Sequence, residues 1–130
     1  MGSGVSLQCP LCGYSDMIMI GIDMHHSTFE NCLESCSPAV RTKVRQIVKN
    51  QVHDYTFEYC CYSCQSCGEI MDKPYLSIRY DDNQTYETAF RCRTCRSRRL
   101  VPVEEDDLTG LPCPHCKEGS LTEDGLLLWD

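Results

Sequence analysis

The sequence predicts a small α+β fold in which antiparallel β-hairpins and one amphipathic helix are held together by clusters of cysteine side chains. Two observations predict this fold. Between the cysteines, short strand-like segments are separated by turn residues, and a single segment has helical periodicity. Eight of the 12 cysteines form four Cys-x-x-Cys pairs, numbered here in chain order as the first to fourth knuckles: Cys9/Cys12, Cys64/Cys67, Cys92/Cys95 and Cys113/Cys116.

Each knuckle can place two thiolates within reach of one metal ion from a single tight turn. Two knuckles together complete a tetrahedral four-sulfur site of the kind that holds structural zinc. The other cysteines, Cys32, Cys36, Cys60 and Cys61, bring the total to the number that three such sites require. The sequence therefore predicts two or three zinc ions. The candidate ligands are Cys9, Cys12, Cys32, Cys36, Cys61, Cys64, Cys67, Cys92, Cys95, Cys113 and Cys116.

Two pairings of the knuckles are compatible with the chain lengths between them. In one, an outgoing strand and a returning helix bring the first knuckle to the second, and the third meets the fourth. In the other, a hairpin joins the second knuckle to the third, and the first closes with Cys32 and Cys36. A site that combines Cys32/Cys36 with Cys60/Cys61 is excluded, because about fifteen helical residues would hold the two pairs roughly 22 Å apart.

The strands are predicted from apolar and aromatic runs. Gly13 permits the positive φ that closes the first knuckle, and a strand follows it. The predicted strands cover residues 17–22, 55–59, 75–80, 85–91 and 100–103, and the third and fourth of them form a hairpin that turns at residues 81–84. We divide the chain into an N-terminal zinc module, residues 1–68, and a C-terminal zinc-ribbon module, residues 69–130.

One helix is predicted at about residues 37–53. Ser37 supplies a capping hydroxyl, and Pro38 occupies the first helical position. Apolar residues then recur at steps of three and four, which predicts one buried helix face. Before this helix, residues 25–36 are polar and irregular. There, His25 or His26 could complete a small mixed site with Cys32 and Cys36.

The formal net charge of −7 disfavours a protein that coats nucleic acid non-specifically. The basic residues are nevertheless unevenly distributed, because five of the 12 crowd the third knuckle. These candidate nucleic-acid contacts are Arg91, Arg93, Arg96, Arg98 and Arg99, and Tyr80, Tyr86 or Phe90 are available to stack on bases.

The segments Cys9-Pro10-Leu11-Cys12-Gly13 and Cys64-Gln65-Ser66-Cys67-Gly68 resemble the knuckles of the zinc-ribbon superfamily. The resemblance implies antiparallel strands around structural zinc, in proteins that dock on nucleic acids or on transcription and translation machinery. The region from Cys64 to Cys95 is also similar to the ribbons of transcription elongation factors and RNA polymerase small subunits. In the factor that provokes transcript cleavage, an acidic pair at the hairpin tip holds a catalytic magnesium. Asp81 and Asp82 differ from it in spacing, so we expect turn residues there.

Iron chemistry is the alternative to zinc. Cys61, Cys64 and Cys67 begin a ferredoxin-type run, but Met71 stands where the fourth cysteine is required. The first knuckle also resembles that of rubredoxin, whose iron has the same four-sulfur geometry. The chain contains no His-x-Glu or His-Glu-x-x-His segment, so we expect no enzyme.

The sequence thus predicts a non-enzymatic structural-zinc module that docks on a protein partner in nucleic-acid-handling or regulatory machinery. Direct nucleic-acid binding and iron-based electron transfer are the alternatives. No segment approaches the length of a membrane span, and no signal peptide is visible. We therefore expect a cytoplasmic or nuclear protein with no membrane association and no small-molecule substrate.

Overall fold

The computed structural model describes residues 2–22 and 28–129, and this part of the chain contains seven strands and two α-helices. The strands are β1 (Gly2–Gln8), β2 (Ser15–Gly21), β3 (Val52–Cys64), β4 (Ile70–Tyr80), β5 (Gln84–Glu87), β6 (Leu100–Val103) and β7 (Thr122–Trp129). The helices are α1 (Phe29–Ser35) and α2 (Pro38–Ile47), and one 3-10 turn covers Glu105–Asp107. The strands form one antiparallel sheet in the order β5-β4-β3-β2-β1-β7, with β6 paired to β3.

The longest strand, β3, organises the sheet. One of its edges pairs with β4 from Val52 to Ser63. The predicted hairpin of residues 75–80 and 85–91 corresponds to β4 and β5, which pair from Ser77↔Glu87 to Tyr80↔Gln84, so its first arm is longer and its second arm shorter than predicted. The other edge of β3 pairs with two strands. Tyr59 pairs with Gly21 of β2, and the segment from Cys61 to Cys64 pairs with β6. The second knuckle therefore begins at the end of β3, beside β6.

The terminal strands β1 and β7 have no counterpart among the predicted strands. β1 pairs with β2 on one side, from Gly2↔Gly21 to Gln8↔Ser15. On its other side it pairs with β7, from Gly2↔Trp129 to Gln8↔Thr122. The first knuckle follows β1 and the fourth precedes β7, so this pairing brings the two ends of the chain to one place.

The helical region differs from the prediction. The cap of α2 is confirmed, because Ser37 Oγ accepts a hydrogen bond from the backbone N–H of Val40 at 3.3 Å. The prediction of a single helix was wrong, since α1 occupies residues thought to be irregular. The helix predicted to reach residue 53 ends at Ile47, and Val52 already belongs to β3.

Asp81 holds the backbone of the loop that follows α2. The Asp81 carboxylate accepts hydrogen bonds from the N–H groups of Lys49 (2.9 Å), Asn50 (2.8 Å) and Gln51 (3.2 Å). Asp81 is thus a turn residue, as expected, and its carboxylate is already engaged. The same N–H groups lower the pKa of Asp81 below 3.8, so its stabilising contribution is complete above that pH and is lost as the pH falls through the lowered pKa.

Replacement of this carboxylate has a measurable consequence. We expect Asp81→Ala to lower the melting temperature by a few degrees, because it leaves three loop N–H groups without their acceptor. The neighbouring Asp82→Ala provides the control, since it removes an exposed carboxylate from the same turn. Thermal melts followed by circular dichroism at neutral pH measure both changes. Equal melting temperatures for Asp81→Ala and the unsubstituted protein would contradict this role.

The buried apolar side chains form two main clusters. The knuckle-side cluster contains Val5, Leu7, Cys9, Ile18, Cys61, Ile70, Leu108, Cys113 and Leu121. The helix-side cluster contains Cys32, Leu33, Cys36, Val44, Phe57, Leu76, Ile78 and Tyr80. The first cluster includes cysteines of two knuckles, whereas the second includes none. In the described ranges, no helix has both the length and the apolar character needed to cross a membrane.

Candidate metal centres

The four knuckles share one backbone geometry. In each, the residue four positions after the first cysteine donates its N–H to that cysteine's carbonyl oxygen at 2.9–3.0 Å. That residue also has a positive φ. The residues and angles are Gly13 (81°), Gly68 (83°), Arg96 (66°) and Lys117 (66°). Glycine adopts this conformation without steric cost. In the third and fourth knuckles, Arg96 and Lys117 adopt it although they carry long side chains.

The first and fourth knuckles meet to form a four-sulfur group, here called the terminal site. Cys9 Sγ lies 3.8 Å from Cys116 Sγ, and Cys12 Sγ lies 3.6 Å from Cys113 Sγ. All four ligand atoms lie within 4.8 Å of one another. Sulfurs at the corners of a tetrahedron with Zn–S bonds of about 2.3 Å are separated by about 3.8 Å, so these distances fit a single tetrahedral ion.

The second and third knuckles form the corresponding hairpin site. Cys64 Sγ lies 3.6 Å from Cys95 Sγ, and Cys67 Sγ lies 3.5 Å from Cys92 Sγ. None of the 12 cysteines forms a disulfide. The chain therefore presents two sets of four free thiols, each with the spacing of a tetrahedral metal centre.

These groups settle the pairing of the knuckles. The hairpin site was predicted by the second of the two pairings. Both pairings predicted the wrong partner for the first knuckle. β1 and β7 bring this knuckle to the fourth knuckle rather than to the second or to Cys32/Cys36. Each site joins a knuckle from residues 1–68 to one from residues 69–130. Neither of the two predicted modules therefore contains a whole four-sulfur group.

Backbone amides prepare part of the terminal site for negative charge. The N–H groups of Gly119 and Glu118 lower the pKa of Cys116 to about 6. Cys12 behaves differently: although the N–H of Tyr14 favours its thiolate, lost solvation and the neighbouring thiols raise its pKa to about 12. The four thiols cannot all ionise in this space without a cation. The site is therefore suited to a metal that displaces the remaining protons.

The hairpin site has the same division. Burial opposes ionisation of Cys64, but the N–H groups of Cys67 and Ser66 outweigh it and lower the pKa to about 6. The pKa of Cys67 is raised to about 12, because lost solvation and the surrounding thiols outweigh the N–H of Glu69. Each site thus combines thiols whose pKa is lowered with at least one whose pKa is raised, and a divalent cation favours ionisation of the whole group.

Two long side chains connect the sites. The Lys117 ammonium, on the fourth knuckle, donates a hydrogen bond to the carbonyl oxygen of Cys67, on the second. Arg93, on the third knuckle, contacts Asp16 at 3.1 Å and Glu69 at 3.6 Å. Arg93 was predicted as a nucleic-acid contact, but its guanidinium holds the start of β2 against the hairpin site.

The remaining predicted ligands lie in the two apolar clusters. Cys32 and Cys36 are buried in the helix-side cluster, where burial raises the pKa of Cys36 to about 11. Cys61 is buried in the knuckle-side cluster, and burial together with Asp72 raises its pKa to about 12. None of the three belongs to a group of three or more ligand-type side chains among residues 2–22 and 28–129. His25 and His26 lie outside those ranges.

The donor set fits soft metals. Thiolates select zinc or iron, and a tetrahedral arrangement of four sulfurs suits both. With four protein ligands per ion, neither site keeps an open position for water or substrate. The described residues therefore support two metal ions in closed sites, and zinc rather than iron stays a prediction.

Comparisons with family models, curated proteins and solved structures found no match to the chain. The resemblance to the zinc-ribbon superfamily therefore stays a prediction. The geometry of the two sites carries the functional argument.

A substitution at Gly119 should disturb the terminal site and leave the hairpin site intact. A Cβ at this position would overlap Cys9 Sγ and lie 3.1 Å from Leu11 Cβ and 3.7 Å from Cys116 Sγ. We expect Gly119→Ala to displace a ligand sulfur and to reduce the bound metal from two ions to one, because the hairpin site is untouched. Glu118→Ala is the control, since it keeps both backbone N–H groups and adds no atom near sulfur. Metal analysis after dialysis measures the result, and two retained ions would contradict the crowding.

Proposed function

We propose that the protein is a non-enzymatic binding module whose scaffold is fixed by two structural zinc ions. The supporting observation is the pair of closed four-sulfur groups. A catalytic zinc site keeps one position for water, whereas a structural site fills all four with protein ligands. Both groups here belong to the second kind.

The position of the sites also supports a structural role. The terminal site closes the sheet where β1 and β7 pair, and the hairpin site joins the end of β3 to the segment before β6. Cys9 and Cys113 are at most 1% exposed and pack in the knuckle-side cluster. An ion at the terminal site would thus complete the core at the end of the sheet that lacks helices.

We further propose that this scaffold docks on a protein in nucleic-acid-handling or regulatory machinery. Among the described residues, three of the five exposed large apolar side chains lie close together in sequence: Leu11 (63% exposed), Met17 (50%) and Met19 (36%). Met17 and Met19 lie on the same face of β2. Exposed methionines adapt to varied partner surfaces. The net charge of −7 also favours a protein over a nucleic-acid coat.

Cobalt substitution tests the structural role of the metal. We expect the cobalt-loaded protein to bind two ions and to show the absorption of tetrahedral thiolate-bound cobalt. Because the sites are closed, excess imidazole or cyanide should leave that spectrum unchanged. A spectral change at either site would reveal an open position and contradict a purely structural metal. The colour of protein purified without added metal distinguishes zinc from iron, because a zinc–thiolate site is colourless and an iron–thiolate site absorbs visible light.

The docking proposal has its own test. Met17→Glu/Met19→Glu should lose a partner that the unsubstituted protein captures from cells of its source. Val101→Glu is the matched control, because Val101 is also an exposed apolar strand residue (44% exposed) but lies in β6. Equal capture by both variants would contradict docking through β2.

A further inference from the structure

A cavity of about 450 Å³ lies beside the hairpin site and takes no part in metal binding. Its walls come from β3, from the segment after β5 and from β6 with the residues before it. The lining side chains used below are Tyr62, Phe90, Arg91, Arg98, Leu100 and Pro102. The volume lies within the range of about 300–1,000 Å³ typical of small-ligand sites.

One wall of the cavity is aromatic and apolar. The rings of Tyr62 and Phe90 meet with their centroids 5.6 Å apart and their planes tilted by 57°. Leu100 and Pro102 continue this wall. Aromatic side chains on a cavity wall are suited to pack against a flat ring. A planar aromatic group is therefore the ligand part that this wall fits.

The cavity also contains two arginines that the fold does not use. Arg91 and Arg98 are exposed, and neither has a hydrogen-bond or ion-pair partner for its side chain in the described part of the chain. Arg93 between them is engaged by Asp16 and Glu69. Arg91 and Arg98 flank the third knuckle on its two sides, so an ion in the hairpin site would fix their spacing. Guanidinium groups held in this way bind phosphate oxygens in pairs.

We propose that this cavity binds an unpaired nucleotide of single-stranded RNA or DNA, with its base against Tyr62 and Phe90 and its phosphate between Arg91 and Arg98. Base stacking on aromatic side chains combined with nearby arginines is the chemistry by which single strands are bound without sequence preference. The inference deepens the proposed place in nucleic-acid-handling machinery and rests on the proposed metal scaffold.

The other arginines near the cavity favour a nucleic-acid strand, rather than a single phosphorylated side chain, as the ligand. Arg96 and Arg99 are exposed on or beside the same knuckle, and their side chains also lack partners within the described ranges. A strand presents further phosphates to these cations, whereas one phosphorylated residue cannot. The net charge of −7 agrees with a local site, because it opposes wrapping of a duplex but not capture of a few nucleotides.

The test uses the full chain loaded with two zinc ions and an end-labelled single-stranded oligonucleotide of about eight nucleotides, within the site sizes of about 4–16 known for single-strand binders. Fluorescence anisotropy gives the affinity at several salt concentrations. We expect Phe90→Ala to weaken binding roughly 5- to 150-fold through lost stacking. Arg91→Gln and Arg98→Gln should each weaken it and should each reduce the slope of log affinity against log salt by about one.

Arg45→Gln on α2 is the matched control, since it removes the same charge from a residue that does not line the cavity. Every variant must retain two ions and the dichroism spectrum of the unsubstituted protein. No binding by the folded, two-ion protein would overturn the nucleotide site and leave the metal proposal standing. Equal weakening by Arg45→Gln and Arg91→Gln, or tighter binding of a phosphotyrosine peptide or of duplex DNA, would also overturn it. If uridine monophosphate bound as tightly as the oligonucleotide, the ligand would be a free nucleotide rather than a strand, and the proposal would be overturned.

Discussion

Removal of the metal is expected to unfold the knuckle end of the protein and to abolish its cooperative melt. Structural zinc contributes about 10–16 kcal/mol in small zinc-binding peptides, whereas whole domains are stable by only about 5–15 kcal/mol. The knuckle-side cluster includes Cys9 and Cys113, and β1 and β7 meet beside them. Without a cation, the crowded thiols must take up protons, and the strands lose the contacts that hold their ends together.

The measurement is a thermal melt by circular dichroism before and after a strong chelator, followed by return of two equivalents of zinc. We expect loss of most strand signal on chelation and recovery on addition of zinc. The same chelator saturated with zinc beforehand is the control for its other effects. An unchanged melt in metal-free protein would show that apolar packing alone suffices. The helix-side cluster contains no knuckle cysteine, so residual structure is expected there rather than at the knuckles.

The knuckles and the start of α2 could be predicted from sequence because their signals are local. A Cys-x-x-Cys pair and a Ser-Pro cap each lie within a few residues, and both have the expected structure. The partner of the first knuckle depends on contacts between residues 101 and 107 positions apart in the chain. No local pattern specifies such a contact. The signals that were available are the alternation of Val5 and Leu7 in β1 and the apolar run of residues 126–129.

Helix α1 was missed for a different reason. Phe29, Cys32, Leu33 and Cys36 recur at helical spacing, and Thr28 accepts a hydrogen bond from Asn31 as an N-cap. The two cysteines were interpreted as metal ligands, so the apolar periodicity went unrecognised. A buried free cysteine behaves as a small apolar side chain. In a cysteine-rich chain, the residues outside knuckles must therefore be tested as core before they are assigned to metal.

The pairing of the knuckles predicts how many ions survive each combination of substitutions. The exposed or half-exposed ligands Cys12, Cys116 and Cys95 are the best targets, because their replacement disturbs the core least. We expect Cys12→Ser and Cys116→Ser each to retain one ion of two. Their combination should still retain one, since both substitutions act on the terminal site. Cys12→Ser combined with Cys95→Ser should retain none, because it breaks both sites.

Native mass spectrometry counts the ions directly and also detects any unfolded fraction. Cys60→Ser is the control, because Cys60 is half-buried and belongs to neither site, so two ions should remain. If the first knuckle instead met the second, Cys12→Ser/Cys116→Ser would retain no ion. If the first knuckle closed with Cys32 and Cys36, Cys116→Ser alone would keep two. Each outcome corresponds to one closure of the chain, so the ion count decides whether β1 and β7 bring its two ends to a common metal.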